Sequence, residues 1–350
     1  MHLHLNKATR LVARSTLLAA LGVASSTAVM AATPLTLVNG WTNAPFSTRA
    51  AMVRTIGNVV HFSGAIGGGA SAVAFTLPSG YWPTTDVYVH IDLCNSTNGR
   101  LHITPSGVTD IEEEDGTLTN AQCFTSLDGA SFALTADLFV PLTLRNGWTN
   151  APYSTSAAAV RKISGIVQFK GAIATTGSNP VAFTLPKGYR PLTDVYVPVD
   201  LCNATKGRLH IVSTGAVDVE AENGTFSNAQ CFTSLDGVSF SPTGAGFSGL
   251  TLINGWTAAP FSTSAPAAEV IAGVTHFKGA MATSGSSSSP FVMPSTMRPK
   301  KDVYIPVDLC DATNGRLHIT PSGATDVEEE NGTFSNAQCF TSLDGASFVN

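Results

Sequence analysis

The chain writes one unit three times, and each copy carries two cysteines at the same spacing. Leu35-Thr36-Leu37-Val38-Asn39-Gly40-Trp41 returns as Leu142-Thr143-Leu144-Arg145-Asn146-Gly147-Trp148 and as Leu250-Thr251-Leu252-Ile253-Asn254-Gly255-Trp256. Each copy closes on Gln-Cys-Phe-Thr-Ser-Leu-Asp-Gly-x-Ser-Phe, ending at Phe132, Phe240 and Phe348. The units therefore run over 35–134, 142–241 and 250–350, joined by short linkers. A period this long is no solenoid repeat, because about 100 residues bury a core of their own. Pairing inside each unit follows: Cys94 with Cys123, Cys202 with Cys231, Cys310 with Cys339. Six cysteines otherwise allow fifteen connectivities. A loop of this size, once closed, stabilises a module by about 3–4 kcal/mol in the chain-entropy picture.

Residues 1–31 read as an export signal. Lys7, Arg10 and Arg14 precede the apolar run Leu17–Ala24, and Val29-Met30-Ala31 fits a cleavage site. The run is too short for a bilayer. The mature product is expected outside the cytoplasm, secreted, periplasmic or on the cell surface, where disulfides persist. Losing the three signal cations takes the formal charge from −5 to −8, which argues against a nucleic-acid partner. Charged residues are only 12% of the chain, and Ser, Thr, Asn and Gly supply the remaining polarity. That balance favours short strands and turns over surface helices.

Within a unit the periodicity is two. Val167, Phe169, Gly171 and Ile173 alternate with Gln168, Lys170 and Ala172. Val181–Leu185 and Asp194–Asp200 read as further strands, with Pro198 marking an edge or a bulge. No amphipathic helix is expected after the signal. The fold class is all-β: three sandwich or jelly-roll modules.

An acidic strand recurs in every copy. Asp110, Glu112 and Glu114, then Asp218, Glu220 and Glu222, then Asp326, Glu328 and Glu330 each alternate onto one face. Such a row invites Ca²⁺. The preceding strand favours a structural charge ladder instead. A three-residue hairpin loop pairs His102 with Asp110 and Arg100 with Glu112, His210 with Asp218 and Arg208 with Glu220, His318 with Asp326 and Arg316 with Glu328. A one-residue slip places leucine opposite carboxylate. No metal or other cofactor is therefore assigned, and the three histidines are expected to titrate above an isolated imidazole.

No GxSxG, HExxH, P-loop or dinucleotide fingerprint occurs, so the chain is expected not to be an enzyme. Triplication suits multivalent binding better than catalysis. Candidate binding aromatics are Trp41, Trp148, Trp256, Tyr81, Trp82 and Tyr189, although a Trp after Asn-Gly more often fills a core. The loops around Gly67-Gly68-Gly69, Thr175–Ser178 and Ser284–Ser289 differ between copies and are where specificity is expected. A self-assembling matrix component is the alternative, and a secreted hydrolase a weaker one.

Asn146-Gly147-Trp148, Gly165–Ile173, Phe183-Thr184-Leu185-Pro186-Lys187-Gly188-Tyr189-Arg190-Pro191 and Ser234–Phe240 together resemble the small β-module at the tips of bacteriophage tail fibres and related receptor-binding proteins. The likeness extends over most of each copy. It implies a sandwich or jelly roll that trimerises and touches a surface glycan or polymer. The chain departs from it in its signal, its added cysteine pairs and its third copy, which has Phe291–Pro299 in place of Leu-Pro-x-Gly-Tyr. If such modules trimerise, three tandem copies can build the trimer within one chain. A linker of about seven residues reaches at most about 25 Å.

Overall fold

The computed structural model describes residues 30–114 and 116–350, so the signal expected at 1–31 lies outside the described residues up to position 29. The fold is all-β, and every strand pairing in it is antiparallel. The second module illustrates the plan, which the third varies by joining Trp256–Ala258, Ala280–Thr283 and Thr341–Ser342 to Val303–Leu309, Asn314–Ile319 and Thr325–Glu329 in one six-stranded sheet. Ala159–Ile163 and Ile166–Lys170 form a hairpin, flanked by Val140–Pro141 and Ser239–Phe240. A second small sheet joins Trp148–Asn150, Ala172–Thr175 and Thr233–Ser234. The third runs Val181–Thr184, Ala216–Ala221, Lys206–Ile211, Val195–Asp200.

The run that reads as one alternating strand is two. Ile166–Lys170 and Ala172–Thr175 belong to different sheets, and the chain crosses at Gly171 (φ +89°). A Cβ there would stand 2.4 Å from the Ser156 carbonyl oxygen, so only glycine fits. The Gly171 amide donates to Asp236 Oδ1 at 3.0 Å, as Gly64 does to Asp128 and Gly279 to Asp344. This fixes the role of the closing Leu-Asp-Gly motif: it pins the crossing between sheets.

The first strand of each module begins earlier than the repeat does. Thr33–Pro34, Val140–Pro141 and Ser248–Gly249 pair within modules one, two and three, so the boundaries at 35, 142 and 250 move back to 33, 140 and 248. One short helix per module was not expected: Thr119–Cys123, Phe226–Cys231 and Ser335–Cys339. At five or six residues it is too short to show a helical period. Tertiary bonds hold it, above all the disulfide at its last residue. All three disulfides close within their own module, at a sequence separation of 29.

The copies do not sit apart. The strands Val87–Asp92, Val195–Asp200 and Val303–Leu309 each touch the other two. Val89, Val197 and Ile305 meet there with Gly129, Gly237 and Gly345 and with the matching residues His90, Pro198 and Pro306. Ser126 Oγ donates to the Tyr304 carbonyl, Ser234 to Tyr88 and Ser342 to Tyr196, at 2.5–2.6 Å. Module one thus bonds to three, two to one and three to two. The chain closes on itself as a ring with pseudo-threefold symmetry. The proline at this strand position follows from this arrangement. Pro198 and Pro306 lie where the strand's outer side meets other modules through side chains, ahead of the Asp308–Leu309 stretch that pairs with Thr341–Ser342, so a missing amide donor costs little.

Candidate functional site at the module seams

The charge ladder forms in the expected register. Arg208 lies opposite Glu220 and His210 opposite Asp218, with the same pairing in the other copies. Gly107, Gly215 and Gly323 turn the hairpins in the left-handed region. The contacts go further than a two-stranded ladder. Arg208 Nη2 meets Glu220 Oε2 at 2.6 Å. His210 Nδ1 lies 3.4 Å from Glu220 Oε1, and its Nε2 is 3.6 Å from Asp194, on the edge strand's approach. Burial alone would lower the His210 pKa, but Glu220 and Asp194 outweigh it and hold it above its ordinary value. Burial likewise opposes ionisation of Glu220, yet the His210 hydrogen bond and the Arg208 charge bring its pKa to about 2.

The arginines then reach across the seams. Arg100 Nη1 donates to Asp200 Oδ2 at 3.1 Å and to the Leu201 carbonyl. Arg208 does the same to Asp308 and Leu309, and Arg316 to Asp92 and Leu93. One to two, two to three, three to one: the ion pairs run once around the ring. Each acceptor aspartate is fully buried, at 0–1% exposure. Nothing in the local sequence marks Asp200 and Asp308 as partners of an arginine 100 residues earlier, or Asp92 as the partner of one 224 residues later.

An aromatic chain crosses each seam beside the arginine. Tyr88 stacks on His102 with ring centroids 4.4 Å apart, and Arg100 lies over Tyr88 at 4.8 Å. Phe232 of the second module stands edge-on to Tyr88 at 5.0 Å, and Tyr153 edge-on to Phe232 at 5.6 Å. The second seam repeats this with Tyr196, His210, Phe340 and Phe261, and the third with Tyr304, His318, Phe124 and Phe46. The outermost rings, Phe46, Tyr153 and Phe261, are 58–59% exposed. All three have φ between +52° and +53°. A bulky residue in the left-handed region is an uncommon, strained choice, made identically three times. The Tyr88–Arg100–Tyr153–Phe232 seam holds a cleft of about 100 Å³, floored by Cys202 and Asn203. Broader polar grooves open at the other two seams. Arg316, Glu328, Asn95, Asn120 and Thr333 line one, and Arg208, Glu220, Asn223 and Asp311 the other.

Most of the aromatics singled out in the sequence lie elsewhere. Trp41, Trp148 and Trp256 are 5% exposed, and each indole N–H donates to a backbone carbonyl, of Ser71, Asn179 and Ser287. They close the cores and present no binding face, which corrects their candidacy. Tyr81 is buried, its hydroxyl 2.9 Å from Thr33 Oγ1, and Tyr189 packs half-buried against its module's core. Trp82 is exposed, but its indole N–H donates to the Leu77 carbonyl, as Arg190 and Arg298 do to Leu185 and Met293. It substitutes for an arginine in a structural contact. The copy-variable loops are pinned from behind: Gln122, Gln230 and Gln338 of the short helices donate to Gly69, Gly177 and Gly285. What sequence reasoning missed is the seam. Its one available signal was an aromatic after Ala-Pro in a Ser/Thr loop, present in each copy as Phe46, Tyr153 and Phe261.

No protein-family model, curated protein or solved structure matches this chain. The three disulfides fit an extracytoplasmic compartment. No described helix is long and apolar enough to cross a membrane.

Proposed function

We propose that the mature chain is an exported, non-catalytic binding protein that engages a surface polymer, carbohydrate by preference, at the three module seams. The observation that carries this reading is the threefold recurrence of one exposed ring in a strained backbone, beside an arginine and a tyrosine. Exposed aromatic faces take up apolar ring surfaces, while Arg, Glu and Asn at the same seams offer hydrogen bonds to hydroxyls. A shallow polar groove suits an extended polymer better than an enclosed small molecule. Three sites on one rigid ring gain from multivalency: a polymer held at one seam meets the next at high effective concentration. The resemblance to receptor-binding tip modules points the same way, since a closed threefold tip is here encoded in one chain. The N-terminal signal and the disulfides support an address outside the cytoplasm.

The test is a glycan array probed with the mature chain, beside Phe46→Ala, Tyr153→Ala and Phe261→Ala singly and together. These rings are mostly exposed, so the fold is expected to persist. Binding that falls stepwise, and is lost in the triple variant, is the expected result. Glycan binding unaffected by all three changes would place the site elsewhere. Absence of glycan binding, with self-assembly of the purified chain into sheets or fibres, would replace the reading with a matrix component.

A further inference from the structure

The carboxylates at the ends of the acidic strands do not stay in their ladders. Each strand stops before them, at Glu113, Ala221 and Glu329. The chain turns, and Glu114, Glu222 and Glu330 converge from three modules, one oxygen of each lying within 4.8 Å of the others. The acidic row that invites Ca²⁺ in the sequence runs along a single strand. The carboxylates that gather come one from each copy.

These groups face a buried polar layer. Lys206 and the Asn314 backbone are near enough to Glu222 to favour its charge, and Asp92 and Lys206 are both near enough to Glu330 to bias its own. Asn98, Lys206 and Asn314 occupy matching positions, and all are completely buried. Lys206 Nζ meets Asp308 Oδ1 at 2.6 Å and the Ala312 carbonyl at 3.0 Å. The two asparagines donate only to carbonyls, of Ala204 and Ser96. The side-chain oxygens Asn314 Oδ1, Asp92 Oδ1 and Asp200 Oδ1 are buried and accept no hydrogen bond. An unmet buried acceptor costs about 1–3 kcal/mol, more when charged. At one of three matching positions the protein supplies its own cation, Lys206. At the other two the same oxygens face no positive group of that kind.

Charge points in the same direction. Six carboxylates gather here, on Asp92, Asp200, Asp308, Glu114, Glu222 and Glu330. Lys206 answers Asp308, while Arg100, Arg208 and Arg316, which answer Asp200, Asp308 and Asp92, are each shared with a ladder carboxylate, Glu112, Glu220 or Glu328, so carboxylates outnumber cations at this end.

We propose that this axis is a cation site in which Glu114, Glu222 and Glu330 each give one oxygen to a hard divalent ion, Ca²⁺ by size. The donors are all oxygen, which excludes a soft-metal preference. Oxygens within 4.8 Å of one another place a common centre no more than about 2.8 Å from each, a reach that admits Ca²⁺–O bonds of about 2.3–2.6 Å, and three protein carboxylates suit Ca²⁺ better than Mg²⁺, which usually keeps several waters and takes one or two carboxylates. The ion ties the three modules together where no linker does.

The experiment uses the full mature chain, stripped with EDTA and exchanged into metal-free buffer. Isothermal titration and thermal melts are run with Ca²⁺, Mg²⁺ or Na⁺ at matched ionic strength. One Ca²⁺ per chain is expected, preferred over Mg²⁺, with a saturable rise in melting temperature. Glu114→Gln, Glu222→Gln and Glu330→Gln should each weaken binding about tenfold or more, and the triple variant should abolish both heat and melting shift. Lys206→Asn, which copies the other two modules, should tighten it. No binding of any ion tested overturns the site, and so does binding that survives the triple change, which is diffuse attraction to an acidic chain. A triple variant that does not fold leaves the decision to the single variants, whose undiminished Ca²⁺ affinity would also overturn it.

Discussion

Arg316→Ala asks whether ion pairs close the ring. Arg316 is the seam cation that no linker backs up, since it joins the last module to the first. It donates to Asp92 Oδ2 at 3.2 Å and to the Leu93 carbonyl, and it holds Glu328 with two further bonds. Asp92 has no exposed surface, so removing the arginine strands a carboxylate in the interior. Breaking a buried pair from one side costs about 3–5 kcal/mol. Spread over a chain of this size, that lowers the melting temperature by about 4–7 °C. Burial already pushes Asp92 up to about 7 against the pull of Arg316, and without Arg316 it rises further. The variant therefore takes up a proton at Asp92 more readily than the parent. Its deficit should be largest near pH 8 and shrink on acidification to pH 5. Chemical denaturation at both pH values in EDTA measures this. Small-angle scattering reports whether the ring opens: the closed chain should give a radius of gyration near 20 Å. Asp92→Asn combined with Arg316→Met should recover more than half of the loss, since removing both charges strands neither. A loss below about 1 kcal/mol at pH 8, with no change in scattering, would refute the claim that these pairs hold the seam.

Three further outcomes follow from the same geometry. Burial, with Glu222 and Glu114 nearby, pushes Glu330 up to about 8. The stability it allows is thus complete below about pH 4.5 and is lost as pH rises through 8. In EDTA, Glu330→Gln should match the parent at pH 4 and exceed it by on the order of 2 kcal/mol at pH 9, discounted for partial exposure; equal stability at both pH values would refute this. Glu113 and Glu329 accept the first amides of their short helices, Asn120 and Ala121 in one module and Asn336 and Ala337 in another, at 2.9–3.1 Å. The second module has Ala221 there, so Ala221→Glu should stabilise it by about 1 kcal/mol in denaturant titration, and destabilisation would show the cap has no room. His210 should titrate above a free imidazole in NMR, and Glu220→Gln should bring it down, because Glu220 is the larger favourable influence.

How much of this was legible follows from how local each interaction is. The hairpin register could be read because a slip exposes Leu209, Val217 and Val219, which are fully buried. The disulfides could be read because the repeat leaves one partner within each module. The short helices could not, because a turn and a half carries no period. Nor could the seams. Asp92 looks like the end of a strand, and its partner is more than two hundred residues away. Strand alternation also misled at one point. It put Glu114, Glu222 and Glu330 on the face of the charge ladder. The strands end one residue too soon for that, and the turn carries these carboxylates to the axis.

Fusing three modules into one chain has a physical consequence that a trimer of separate chains lacks. Around a true threefold axis, every side chain meets two copies of itself. Three lysines at the position of Lys206 would crowd three ammonium groups beside three aspartates, and three asparagines would leave every Asp Oδ1 without an ammonium. The fused chain places one lysine and two asparagines there, a charge setting that no symmetric trimer can reach. The opposite end of the molecule shows the same freedom. His61, buried, and His276, half-buried, approach each other beside Gln168, and both are held neutral, at about 3 and about 4, mainly by desolvation. A third histidine in place of Gln168 would add another buried base to protonate on acidification below about pH 6.5. His90 stands where the other copies have Pro198 and Pro306, a buried imidazole brought down to about 3, mainly by desolvation. Triplication in one chain thus keeps the threefold presentation of the seams while letting the axis depart from symmetry, residue by residue, where symmetry would repeat a cost three times.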